Sequence, residues 1–561
     1  MSTTRHGGQI LADQLVIQGC EVAFCVPGES FLALLDGLHD TQSVRTVVCR
    51  QEGGAAMMAE AHGKLTGKPG VCMVTRGPGA TNAASGVHVA YQDSTPMILL
   101  IGQVGREMMD REAFQEIDYR RMFGQMAKWV AQVDDTRRLP EYISRAYHIA
   151  MSGRPGPVVL ALPEDVLSGF AEVEDTKPAN PAVAKAAPDD VDAFKAMLEG
   201  AERPMMIVGG GGWDAQTSAD IQRFSEANNI PVCASFRCQD YFDNAHPNYC
   251  GHAGLGINPK TAARFDQCDL LISVGSRLGE ITSGGYEMFG IPNLKMKFVH
   301  VHPGADEIGH MYRPDLAVNS ASPQFAKAIS SLQLSSAERW KEWTGGASAE
   351  YREGNAPKAS PGDFQLEQAV LHVAQSLGPN DVVTNGAGNY AAWVNKYYTY
   401  RNYRTQLAPT SGSMGYGLPA AVASAIARPN DRTICFAGDG CFMMTGQELA
   451  TAVAQELDMI IIVANNGMYG TIRMHQERHY PERVHGTGLV NPNFADLAKS
   501  YGAHGTRVTT NAEFETAFAD ALTRKGPVLI EALMDPNALS PTATMEEIRA
   551  QGLANQAGAS A

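Results

Sequence analysis

The chain has 561 residues, 44% of them hydrophobic and 19% charged, with a formal charge of −15. At roughly 150 residues per domain this length argues against a single core and suits three domains, and no apolar run approaches the roughly 20 residues that span a bilayer. The acidic balance, with no Lys/Arg run interleaved with aromatics, argues against a nucleic-acid partner and for a small molecule.

In chain order, short apolar or β-branched runs alternate with amphipathic helical stretches. "VAFCV", "VRTVVC", "VCMV", "MILLI" and "VVLA" precede residue 165, "MMIV", "LLISV" and "KFVHV" lie between 200 and 305, and "DVVT", "TICFA", "MIIIVA" and "VLIEA" follow. Strands that are apolar throughout, alternating with helices, predict an α/β fold of doubly wound parallel sheets covered on both faces. Two stretches rich in Pro, Ala, Gly and charge, 172–190 and 342–364, read as linkers. They divide the chain into domains at 1–172, 190–342 and 362–545. Residues 546–561, ending "AQGLANQAGASA", lack apolar periodicity and are expected to form a flexible tail. The N-terminus passes straight into a helix-like pattern without a signal segment, so a cytoplasmic protein is expected. The ten cysteines show no CxxC pair and no zinc spacing, and read as reduced, buried thiols.

The third set of strands contains the most informative pattern. "TICFA" ends just before Gly438-Asp439-Gly440, a helix is expected over about 447–457, and "MIIIVA" ends just before Asn465-Asn466. This βαβ unit places Asp439 and Asn466 at carboxyl ends of parallel strands, where open α/β sheets bind ligands. Gly438 and Gly440 permit close backbone approach, and the free amides opening the next helix point at an anion. A carboxylate and an amide oxygen suit Mg²⁺ carrying a diphosphate. A strand-end turn in which Asp and Asn merely cap the backbone is the alternative.

The spacing of GDG, 24 residues, then NN is similar to the signature of thiamine diphosphate (ThDP) enzymes, and roughly residues 5–540 resemble the acetolactate synthase and pyruvate decarboxylase superfamily. That resemblance implies Mg²⁺ ligands in the Asp439 and Asn466 side chains and the Met468 carbonyl, with Cys441 and Tyr469 also at the cofactor. "VRTVVCRQEGGAAMMAEAHGKLTG" would supply Glu52, the carboxylate that protonates the pyrimidine ring. In the family this glutamate serves a cofactor bound mainly by the partner chain, which implies a homodimer or homotetramer with shared active sites. "PTSGSMGYGLPAA" resembles the segment that bends the cofactor. Met414 would be the apolar wedge there, with the Gly412 carbonyl and Met414 amide on the aminopyrimidine. "TNGAGNYAAW" resembles a diphosphate loop and offers Asn389, and "TRGPGATNAASG" resembles a loop lining the cofactor cleft.

Further matches point to acetolactate synthase. "EAFQEIDYRRMF" resembles its active-site loop and offers Phe114 and Gln115, while "CDLLISVGSRLGE" places Arg277 on the arginine that receives the second substrate's carboxylate. Two departures stand out: Glu164 replaces a lysine, and His475 replaces a tryptophan of the acceptor pocket, where an imidazole could exchange protons. "FCVPGESFLALLDGL" instead resembles simple decarboxylases, whose acidic residue would be Glu29, although their adjacent His pair is absent and only His88 is nearby. "VGGGGWD" resembles a nucleotide-binding turn and admits FAD, while the poor match around "SFRCQDYFDNAHPNYCGHAG" argues against it. The resemblance implies decarboxylation of a 2-oxo acid such as pyruvate and ligation of the acyl unit to a second carbonyl compound. A decarboxylase releasing an aldehyde and a non-catalytic ThDP-binding subunit are the alternatives.

Overall fold

The computed structural model describes residues 4–559 and contains three six-stranded parallel sheets. The first has the order Arg45–Val48, Val22–Cys25, Gly70–Val74, Met97–Gln103, Pro157–Pro163, Trp129–Gln132. The second runs Tyr249–His252, Val232–Ala234, Pro204–Val208, Leu270–Val274, Lys297–His302, Leu316–Asn319. The third runs Gln406–Leu407, Val382–Asn385, Thr433–Gly438, Met459–Asn465, Val528–Leu533, His504–Val508. Counting each sheet from its own first strand, the first and third share the order 2-1-3-4-6-5 and the second has 3-2-1-4-5-6. Strands such as Gly70–Val74, Met97–Gln103 and Pro157–Pro163 are buried along their whole length, as strands covered on both faces must be. No helix among the described residues is long and apolar enough to cross a membrane. All ten cysteines are buried and none forms a disulfide.

The chain divides into two compact units, one reaching Val183 and including 422–427, the other holding the rest from Ala184. The second and third sheets share the latter unit and are joined by buried polar contacts. Gln239 donates its amide to Gln406 Oε1 (2.9 Å), and Asp240 Oδ2 accepts the amides of Thr405 (3.0 Å) and Gln406 (3.2 Å).

Two expectations are corrected. The linker read over 342–364 is mostly the helix Lys341–Gly354, so the central domain extends past residue 342. Trp343, Ala347 and Tyr351 recur every four residues along one face: the Trp343 indole donates to Pro204 O and Tyr351 packs edge-on against Tyr249. Glycines and alanines around this stripe disguise it. Residues 560–561 of the tail expected at 546–561 lie outside the described residues, and 546–559 belong to the helix Met545–Ala559. Its attachment is ionic, which is why apolar periodicity does not report it. Arg549 makes two 2.9 Å bonds to the fully buried Glu477, which also accepts from Arg473 Nε (2.9 Å), and any side chain at Gly552 would collide with the Glu477 carbonyl.

Arg549 first, with further hydrogen bonds from Glu482 N and Arg473, holds the Glu477 carboxyl down at about 2. A depressed carboxyl contributes stability above its unfolded value near ~4.3 and loses it as pH falls toward about 2. Hydrogen exchange of 545–559 is therefore expected to be slow from neutral pH down to about 5 and to accelerate below ~4. Arg549→Ala should accelerate it at every pH.

Candidate active site

The carboxyl ends of the third sheet surround a cavity of about 250 Å³. Its walls include the turn after Val382–Asn385 (Gly388, Asn389), the segment with Gly412 and Met414, the turn after Thr433–Gly438 (Asp439 to Cys441), and Asn466 to Ile472. The residues expected at the metal, the diphosphate and the cofactor bend lie on one cavity: Asn389, Gly412, Met414, Gly438, Asp439, Gly440, Cys441, Asn466, Met468 and Tyr469. The helix expected over 447–457 is shorter, Leu449–Ala454, preceded by a single turn at Asp439–Phe442.

Asp439 is only 3% exposed, and burial raises its pKa against the pull of its hydrogen bonds. Oδ1 accepts the Gly440 amide (2.8 Å), while Oδ2 accepts the Gly467 amide (2.9 Å) and the Asn491 carboxamide (2.8 Å). Asn491 also donates to Asn465 Oδ1 (3.0 Å), and Asn465 donates to Glu531 (2.8 Å), itself bonded by Arg507 (3.0 Å). Asn466 Oδ1 accepts the Met468 amide (3.2 Å). Glycine is required at 440 and 438 because added Cβ atoms would lie 2.6 Å from the Tyr469 ring and 2.8 Å from the Tyr390 ring. Asn389 bridges two other walls, donating to Leu539 O (2.8 Å) and accepting from Thr471 (2.8 Å).

Sequence reasoning missed Asn491, Ile472, Met534 and Leu539. Ile472 lies two residues into the helix that follows Asn466, and Asn491 sits in an "NPN" turn; those were the available signals. Arg277 and His475 share this unit but do not line the cavity. His475 is exposed and stacked on His479; partial burial, then Arg478 and His479, lowers its pKa.

Glu29, Glu52, Phe114 and Gln115 belong to the other unit, beyond the carboxyl ends of its own strands. Glu52 opens the helix Glu52–Thr66 and accepts from Asn82 Nδ2 (2.9 Å). Glu29 is exposed in the turn after Val22–Cys25. Phe114 is 75% exposed, and Gln115 adopts a left-handed φ of 66° against Gly77. Arg76 joins the Phe114 carbonyl (3.0 Å) to the Glu164 carboxylate, and Tyr119 accepts the Gly77 amide (2.9 Å).

Comparison with known proteins agrees with this geometry. Residues 5–122 match the thiamine pyrophosphate enzyme N-terminal TPP binding domain, 191–329 the central domain and 386–532 the C-terminal TPP binding domain. The chain is 32% identical over 542 residues to the acetolactate synthase isozyme 2 large subunit of Escherichia coli, covering 94% of this chain and 96% of the relative. It is 30% identical over 557 residues to a probable acetolactate synthase large subunit of Methanocaldococcus jannaschii, covering 95% and 93%. The chain belongs to the thiamine pyrophosphate enzyme family.

A thiamine pyrophosphate (ThDP) enzyme binds a diphosphate and its cation, and the donor set of this cavity fits them. The Asp439 carboxylate, Asn466 carboxamide and Met468 carbonyl are hard oxygens, and a cation would compensate a carboxylate whose burial is costly. FAD fares differently. The central sheet has the dinucleotide-binding order, whose ligand site lies between Pro204–Val208 and Leu270–Val274. There the Gly209 and Gly210 carbonyls already accept from Trp213 Nε1 (2.9 Å) and the Tyr241 hydroxyl (2.6 Å). Asp214 caps the helix Ala215–Asn228 through Thr217 N (2.7 Å), so a carboxylate stands where a diphosphate would bind. The Asp214 carboxylate at this helix start argues against FAD here. The purified protein is expected to show no visible flavin absorbance and to bind no FAD on titration.

Proposed function

We propose that this chain decarboxylates a 2-oxo acid such as pyruvate and ligates the acyl unit to a second carbonyl compound, as an acetolactate synthase does, using ThDP and Mg²⁺. The observation that carries this reading is near-full-length similarity to acetolactate synthase large subunits together with the single cavity that gathers the cofactor residues. When bound, ThDP supplies a carbon nucleophile and an electron sink for decarboxylation.

The chain's own residues take the following proposed roles. Asp439, Asn466 and the Met468 carbonyl hold the cation. The backbone turns at Gly438 and Gly440 admit the diphosphate. Gly412 and Met414 hold the aminopyrimidine and keep the cofactor bent, Glu52 holds the proton at the pyrimidine nitrogen, and Gln115 and Phe114 face the substrate. Arg277 binds the acceptor's carboxylate as a planar fork, and His475 exchanges a proton near the acceptor. The protein is a homodimer or homotetramer in which Glu52 of one chain completes the cavity of the other.

Pyruvate alone should yield acetolactate or acetoin; acetaldehyde as the only product would replace ligation by simple decarboxylation, with Glu29 as its proton donor. Glu52→Gln should slow deuterium exchange at the thiazolium carbon of bound ThDP by at least about 100-fold, the scale of a lost acid–base group, while leaving Tm nearly unchanged. Asp439→Ala should abolish the Mg²⁺-dependent rise in Tm that ThDP produces in the wild-type protein.

A further inference from the structure

We propose that Tyr390 and Cys441 are positioning residues that lock the three backbone turns of the cavity together before the cofactor binds, with Arg237 anchoring the assembly from the central sheet. The inference rests on reading the cavity as the ThDP site. Cys441 reads from the motif as a residue at the cofactor, but its sulfur is turned between the turns. Sγ accepts from the Tyr390 hydroxyl (3.2 Å) and from the Gly415 amide (3.2 Å). The same hydroxyl accepts the Gly386 amide (2.9 Å), and the Gly386 carbonyl accepts Arg237 NH1 (2.8 Å). One phenol and one thiol thus connect the turn starting at Gly386, the segment carrying Met414, and the turn carrying Asp439.

The contacts leave little slack. A Cβ at Gly386 would lie 2.5 Å from Cys441 Sγ, and one at Gly415, whose φ is 81°, would lie 2.8 Å from Met444. The Tyr390 ring fills the space beneath Gly438 and Gly388, within 3.0 Å of the Cβ either would carry. Arg237 is itself held in a left-handed conformation (φ 59°) and is 5% exposed, a conformation that persists in a non-glycine residue only when its surroundings over-determine it. Fixing these turns in advance removes part of the ordering cost of cofactor binding.

Tyr390→Phe removes the bridging hydroxyl and keeps the ring. In titrations of the full-length protein with ThDP and Mg²⁺, followed by quenching of tryptophan fluorescence, it should weaken ThDP binding by at least about tenfold, because both hydrogen bonds of the hydroxyl are lost. Cys441→Ala should weaken it similarly, the double variant should be no worse than either single one, and Cys441→Ser should restore most of the loss. A merely structural role would lower Tm and leave cofactor affinity of the folded protein intact; that outcome, or losses that add in the double variant, overturns the proposal. If the wild-type protein itself shows no Mg²⁺-dependent response to ThDP, the reading of the cavity fails instead.

Discussion

A carboxylate buried at the end of a parallel strand has to be compensated, and much of the third sheet is arranged around that need. Desolvation opposes the charge of Asp439, and the protein answers with two backbone amides and the Asn491 carboxamide. Those donors are themselves fixed. The Gly467 amide is placed by the pairing of 467–469 with 487–489, and Asn491 is steered through Asn465 to Glu531, which also receives the Phe494 amide (2.9 Å) that starts the next helix. Segments far apart in the chain therefore close on one anion. A cation on the cavity side of Asp439 would complete the compensation.

The first and third sheets use the same strand order for different ends. In the third, the turns beyond the strands are dominated by glycine and backbone, which suits a ligand that must approach the main chain. In the first, they carry Glu29, Glu52 and Gln115. The central sheet has the dinucleotide-binding order, Trp213, Asp214 and Tyr241 engage the turn after its first strand, and Arg237 reaches across to the Gly386 carbonyl of the third domain. Fold and ligand part company there: the order of strands creates a crevice, and side chains decide whether it stays open.

Glu164 illustrates how a departure from a family pattern acquires meaning from its neighbour. Alone it is a reversed charge where the synthases carry lysine. In the structure it pairs with Arg76, whose guanidinium also holds the Phe114 carbonyl, while Tyr119 holds Gly77. Glu164 and Arg76 form one charge-compensated unit that stitches the glycine-rich turn to the loop carrying Gln115. His475 lies outside the cavity wall, exposed and stacked on His479.

The sequence by itself determined the α/β class and most of the interior strands, the short Val232–Ala234 excepted, and it placed Asp439 and Asn466 at neighbouring strand ends, because each is written locally. A strand buried on both faces is an unbroken apolar run, and a βαβ unit sets its two strand ends a short, readable distance apart. Edge strands such as Leu316–Asn319 and His504–Val508 escaped because their half-exposed positions break the run. The helices at 341–354 and 545–559 escaped because glycines mask the first and ion pairs attach the second. Only the tertiary structure decided that Asn491 serves Asp439, that Tyr390 reaches Cys441, and that the Trp213 indole holds the Gly209 carbonyl. Those contacts join separate elements whose packing no residue spacing encodes, and hydrogen bonding at a buried site depends on where each polar atom finally lies.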